Sequence, residues 1–257
     1  MGFVENQWLL NKLNGQHGFL EFTEAGTFEW ICPTGVSMVY VVAQGGNGGG
    51  GGGSGGSLCN RAEGYARGGP GGASGGTAPI VNALLSVESG QSYPITVGAG
   101  GAGGTGGARA TSAVDVIAPF NGAGGTSGAN GEQTKFGDIL ATNGGGGGGG
   151  GIHTAKINSG GFSSEAGLAG TLDNSIYKFV IFNIAESSSG NKGSGVDLVS
   201  NGISPGGAGG ASKYSPIGSK SGAGGAGGTG GNTASGTSST DGSPGGDGDC
   251  GYMKIIW

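Results

Sequence analysis

Gly98 to Ala108 reads GAGGAGGTGGA, with Ala99, Ala102, Thr105 and Ala108 falling at every third position between glycines. That period belongs to neither common element, since the α-helix repeats at 3.6 residues and the strand at 2. Polyproline II repeats at three residues per turn, so one face of such a rod carries every side chain and two faces are bare backbone. The same phase returns at Ala123, Thr126, Ala129 and Glu132, at Pro205, Ala208 and Ala211, and at Ala223, Ala226, Thr229 and Asn232. Shorter phased runs stand at Pro70 and Ala73 and at Pro244 and Asp247. A flexible linker has no reason to keep phase, so at least five segments read as polyglycine-II rods, each spanning about 30 Å per ten residues.

A lone rod makes no internal hydrogen bonds, and ordering glycine costs more backbone entropy than ordering any other residue. Bare faces let rods approach one another, adding N–H···O=C bonds and Cα–H···O contacts of about 0.5–1 kcal/mol each. The expectation is an intrachain bundle; the runs are too short and broken for collagen, and the alternative is glycine-driven disorder.

Composition sets the rest of the architecture. With 70 glycines in 257 residues and 34% hydrophobic residues, side-chain volume is too small for one conventional core. Charged residues make up 11%, so charge repulsion does not keep this chain unfolded. The net charge of −5 and the scattered basic residues argue against a nucleic-acid partner. No apolar run is long enough for a transmembrane helix, and the acidic start MGFVE is unlike a signal peptide. The odd set Cys32, Cys59 and Cys250 lacks CxxC spacing, which favours free buried thiols over a zinc site or disulfide framework.

Along the chain, residues 1–18 place Val4, Trp8, Leu9 and Leu13 near helical spacing and read as a short helix or docking arm, with Trp8 and Leu9 as assembly-docking candidates. Packing of this arm on its own β core is the competing reading. Period-two patterns predict strands at 19–23, 27–32 and 36–43, two strands around the turn ESGQ within Ala78–Val97, and a terminal strand in CGYMKIIW. Trp30, Phe28, Val39 and Val41 are core candidates. Val114–Phe120 and Thr134–Thr142 each predict a short strand, while 152–200 reads as a less glycine-rich, strand-bearing insertion.

The run Phe22-x3-Gly26-x-Phe28-x-Trp30-x2-Pro33-x-Gly35-Val36-x2-Val39-x-Val41 leads into a glycine burst, and SGQSYPITVGAGGAGG, TKFGDILATNGGGGGGGG and GYMKIIW follow in order. These anchors resemble the glycine-rich domains of phage tail-fibre and tail-tip proteins and of bacterial surface proteins, and the glycine-rich region of anaplastic-lymphoma-type receptor kinases. The resemblance implies an all-β fold: a small β-sandwich built from both chain ends, with an inserted bundle of polyglycine-II helices. It assigns 19–257 to that domain. T-even-type phage adhesins use a related bundle and present receptor-binding loops at its tip, although this sequence is unlike theirs outside the glycine tracts.

Signals for chemistry are weak. GxGxxG arises by chance at this glycine density and no lysine-serine ending follows. His17 and His153 lack partners at catalytic or ligand spacing, and Asp173, Asp197, Asp241, Asp247 and Asp249 sit in loop-like sequence. GGDGDCG occurs once, short of a calcium-binding repeat, and no nucleophile elbow appears. The expectation is a protein without enzymatic activity, cofactor or metal.

Rods offer little specific contact area, whereas interface anchors are commonly aromatic or arginine residues. Receptor-binding candidates therefore fall in the interrupting loops: Arg61, Tyr65, Tyr177, Phe179, Tyr214 and Ile217. Tyr177 and Phe179 equally suit the core of the insertion. The leading expectation is a virion tail adhesin, acting at the host cell surface during adsorption. Its partners would be other tail proteins, a protein or glycan receptor, and further copies of the chain in a homo-oligomer such as a trimer. A non-adhesive decoration protein and an ice-binding protein are the alternatives.

Overall fold

The computed structural model describes residues 17–59, 68–111, 122–152, 181–185, 189–194, 208–211, 217–229, 231–232 and 237–257. The strands are β1 (Phe19–Phe22), β2 (Gly26–Ile31), β3 (Met38–Gln44), β4 (Leu58–Cys59), β5 (Ile80–Ser86), β6 (Ser92–Val97), β7 (Thr134–Phe136), β8 (Leu140–Thr142), β9 (Ile181–Ala185), β10 (Gly231–Asn232) and β11 (Tyr252–Ile256). Two antiparallel sheets result, ordered β1-β11-β3-β5-β9 and β2-β6-β7-β8, and β4 pairs with β10 in parallel. Among the described residues the fold is all-β.

Alternation decides which face of each strand is buried. Val39, Val41 and Ala43 of β3, Val81, Ala83 and Leu85 of β5, and Met253 and Ile255 of β11 meet Trp30, Ile95 and Phe136 of the second sheet in one apolar cluster. Trp30 is fully buried, with the rings of Tyr93, Phe136 and Trp257 at centroid distances of 5.8, 5.8 and 5.7 Å. Tyr252, Lys254 and Ile256 take the opposite face of β11 from the core.

The strands predicted in the first hundred residues are present within one or two residues of their expected limits. Three sequence readings are refined. The strands flanking ESGQ are not paired with each other: β5 lies between β3 and β9, whereas β6 lies between β2 and β7. The single strand expected over Thr134–Thr142 is a hairpin, turned at Gly137 with φ of +49°, a conformation glycine adopts without the cost a Cβ imposes. The insertion, read as strand-bearing, contributes β9 to the edge of the five-stranded sheet. Val114–Phe120 lies outside the described residues.

Three of these strands, β3, β6 and β8, run into glycine-rich segments and three, β5, β7 and β11, follow them, and the segments assemble around residues 45–57. Gly46, Gly49, Gly52 and Gly55 donate their N–H groups to the carbonyls of Glu132, Ala129, Thr126 and Ala123; each successive donor on the central segment turns to the next neighbour and returns after three residues. The other N–H groups from Asn47 to Gly56 go to segments 240–251 and 68–78, at 2.8 to 3.0 Å. These three neighbours run opposite to the central segment. Three others, 98–110, 143–152 and 220–229, run with it and donate to its carbonyls, as Gly104 does to Gly50, Gly148 to Gly49 and Gly225 to Gly51. Around the perimeter the two directions alternate, and every adjacent pair is bonded. Residues 189–194 and 208–211 cover the outside of 68–78, whose Ala73, Ser74 and Thr77 are buried.

Glycine spacing follows from this geometry. In the antiparallel segments a Cβ at Gly122, Gly125, Gly128 or Gly131, or at Gly242, Gly245 or Gly248, would strike the backbone of the central segment, and one glycine in three suffices. In the parallel segment 98–110, a Cβ at Gly100, Gly103 and Gly106 would strike one neighbour and at Gly101, Gly104 and Gly107 another, so two in three are needed. The central segment is crowded on all sides.

Two outcomes follow. Gly245→Ala places its methyl on the Gly50 carbonyl and should destabilise by about 3 kcal/mol or more, comparable to overpacking a core. Its neighbour Gly246 meets nothing closer than 3.4 Å, so Gly246→Ala should be neutral or gain about 0.4–1 kcal/mol through the unfolded chain; paired denaturant titrations read the contrast. Deleting Cys250–Trp257 removes the strand between β1 and β3 together with two fully buried side chains, Met253 and Ile255, at about 1.5–3 kcal/mol each. The deleted chain should lack cooperative thermal unfolding by circular dichroism, despite retaining the glycine segments up to residue 249.

Candidate interaction surfaces

The array has two distinct ends. At one, β3, β6 and β8 lead out of the sheets and β5, β7 and β11 receive the returning segments. This junction is polar and buried. Gln44 Nε2 donates to the Ala78 carbonyl at 2.9 Å, while the Ser219 hydroxyl donates to Gln44 Oε1 at 2.8 Å. Asn47 Nδ2 donates to Ser219 Oγ and the Lys220 carbonyl, and Asn47 Oδ1 accepts from the Ala78 N–H at 2.9 Å. Gln44 and Asn47 are fully buried, so their amides tie three segments together where the sheets stop.

At the far end, Leu58 and Ala110 are buried and the Ser239 hydroxyl donates to the Ala110 carbonyl at 2.8 Å. Ile152, with 61% of its surface exposed, directly follows the eight-glycine run at this end. Its position after an unbroken glycine tract was the available sequence signal, and it was not among the predicted contact residues.

Of the predicted receptor-binding residues, Ile217 is described: it is 43% exposed, next to Gly218 with φ of +90°. It lies toward the sheet end, because Ser219 and Lys220 bond Gln44, Asn47 and Asp249. Arg61, Tyr65, Tyr177, Phe179 and Tyr214 lie outside the described residues. Cys59 and Gly68, the described residues on either side of that stretch, belong to the far end, whereas Ile217 does not. Trp8 and Leu9 also lie outside the described residues; the chain enters at exposed His17, and Gly18 exchanges backbone hydrogen bonds with Trp257.

The outer face of the five-stranded sheet bears Phe19, Met38 and Ile256, all exposed, beside half-buried Tyr40, Val42 and Leu84. The Lys254 ammonium donates to Glu21 Oε1 at 2.7 Å and stands 4.8 Å from the Phe19 ring centroid. That hydrogen bond holds the Glu21 carboxyl below its ordinary range and the Lys254 ammonium above its own.

Cys32 matches its sequence reading as a free buried thiol, and Cys250 departs from it in exposure. Cys32 is buried, with its thiol directed at the Val36 carbonyl at 3.4 Å and its pKa raised by burial. Cys250 is free but half-exposed, its Sγ 3.0 Å from the Thr23 carbonyl. Asp241, Asp247 and Asp249 lie in a stretch without helix or strand, as expected, and their carboxylates accept backbone N–H groups of Arg109, Gly103 and Lys220 across the array. Asp173 and Asp197 lie outside the described residues.

No model of a known protein family matches this sequence, and a search of curated proteins finds no match either.

The junction gives a direct test. Asn47→Ala strips the buried Ala78 N–H of its acceptor, at about 1–3 kcal/mol, whereas the Lys220 carbonyl keeps the Asp249 N–H. Urea unfolding should show a loss of about 2 kcal/mol with an unchanged m-value.

Proposed function

We propose that this protein is a structural component of a phage tail fibre or tail tip and acts there as a receptor-binding adhesin. On this reading the two sheets are a small sandwich, and the glycine-rich array is a polyglycine-II bundle inserted between its strands. The period-three return of the backbone hydrogen bonds and the shared core of the two sheets support that finer description.

The observation that carries the functional reading is the polarity of the molecule. Segments 45–57, 98–110, 143–152 and 220–229 all leave the sheet end and run to the same far end, so the connections that follow them start there. Because the array is held by backbone bonds, those connections can vary in sequence while their support stays constant. The opposite end offers the apolar outer sheet face and the entry of residues 1–16, which suits attachment to other tail proteins. The receptor would be a protein or glycan of the host surface, met during adsorption.

Purified protein should bind whole host cells and block phage adsorption. Tyr65→Ala, in the connection after the central segment, should weaken cell binding by about 30-fold, equivalent to about 2 kcal/mol for an interface anchor. Tyr214→Ala, alone and combined with Tyr65→Ala, tests the second aromatic connection, with folding followed by circular dichroism. Unchanged binding in both single variants and in the double variant would remove the loop-borne adhesin reading. Binding to phage particles without any effect on adsorption would point instead to a decoration protein.

A further inference from the structure

Each N–H of the central segment from Gly46 to Gly56 is met by a carbonyl of an oppositely running neighbour. Apart from Gly224, whose N–H meets the Gly210 carbonyl, and 68–78, which donates to 189–194, the described perimeter segments show no such backbone neighbour on their outer sides, yet several of their exposed N–H groups are occupied. Gly103 donates to Asp247 Oδ1 at 2.7 Å and Arg109 to Asp241 Oδ1 at 2.8 Å. Thr105 donates to Thr126 Oγ1 at 2.7 Å, Gly147 to Asn130 Oδ1 at 2.8 Å, and Thr229 to Thr240 Oγ1 at 2.7 Å.

The pattern is consistent in direction. Every one of these donors belongs to a segment running with the centre, and every acceptor side chain to an adjacent segment running against it. Asp241 and Asp247 are six residues apart, two periods of three, so they recur on one face of 240–251, and the residues they cap, Gly103 and Arg109, are likewise six apart. A carboxylate, amide or hydroxyl oxygen therefore stands where the carbonyl of the next antiparallel segment would stand if the array continued outward.

We propose that these side chains are edge caps that end the array at its present width, by occupying the backbone donors a further glycine-rich segment from a second copy of this chain would use. An exposed row of unpaired backbone donors is a template for another chain, as it is at the edge of a β-sheet. Here the outer donors of Gly103, Thr105, Arg109, Gly147 and Thr229 are bonded within the molecule by side chains that cannot extend the lattice. Asp241 and Asp247, like Asp249 on the Lys220 N–H and Glu132 on the Ala99 N–H, are carboxylates, which also set a negative charge where a second array would approach. The proposal is independent of the adhesin reading, since it concerns only how the array is closed.

The test uses the full chain with Asp241→Ala, Asp247→Ala, Thr126→Ala and Asn130→Ala combined, compared with the parent by sedimentation velocity over a hundredfold concentration range. Folded variant should form species larger than the parent's in a concentration-dependent manner. Backbone amide exchange at Gly103, Thr105, Arg109 and Gly147 should quicken at least tenfold under conditions where the variant has the parent's size. The control Asp241→Asn with Asp247→Asn removes the same charge but keeps an acceptor oxygen, and should match the parent in size and in Gly103 exchange. Parent-like size and exchange in the fourfold variant would overturn the proposal, as would association of the Asn control equal to that of the alanine variant. If the fourfold variant does not fold, Asp247→Ala alone decides: faster exchange confined to the region of Gly103, with new larger species, supports the cap, and unchanged exchange there refutes it.

Discussion

The backbone of residues 45–57 is the element on which the array depends. A chain segment with neither helix nor strand pairing must find a partner for every buried N–H and C=O, because an unpaired group costs about 1–3 kcal/mol. Six surrounding segments solve this for the central one: three opposite-running neighbours take its N–H groups, and three co-running neighbours fill its carbonyls. Such close approach is possible only where Cβ atoms are absent. Glycine content is thus a packing requirement, placed position by position.

The array is not self-sufficient. Each backbone hydrogen bond contributes about 0.5–1.5 kcal/mol net, while fixing a residue costs about 1–2 kcal/mol, and more for glycine. The sheets offset that deficit through the core around Trp30, and they hold segment ends in register through the Gln44 and Asn47 amides. Conversely, sequentially distant strands such as β3, β5 and β11 are brought together only by segments that leave the sheet and return. Sheet and array are therefore coupled parts of one folding unit.

That coupling gives the molecule unlike ends. The sheet end is built from side chains, including an apolar outer face with Phe19, Met38 and Ile256. The sides of the array are mostly small side chains and capped backbone. At the far end, Ile152 is the most exposed large apolar residue among those described.

Much of this was legible in the sequence. Alternating patterns placed β1, β2, β3 and β11, because strands with one buried face must alternate, and period-three spacing marked segments such as 98–110 and 220–229, which keep one side-chain face. The centre was not legible in the same way. A segment surrounded on every side is glycine throughout apart from Asn47 and Ser54 at sites where a neighbouring row ends, so Gly45–Gly56 carries no phase to read. Nor could sequence tell that Asp241 and Asp247 accept backbone N–H groups of a segment more than a hundred residues earlier, or that β5 and β6 part into different sheets. Of the predicted contact residues, only Ile217 is described, and it stands toward the sheet end, because Ser219 and Lys220 are bound at the junction. Sequence determined where side chains must be absent, which is a local steric property. The tertiary structure decided which segment each bare backbone meets, because backbone hydrogen bonds are the same for every residue and only the three-dimensional arrangement selects their partners.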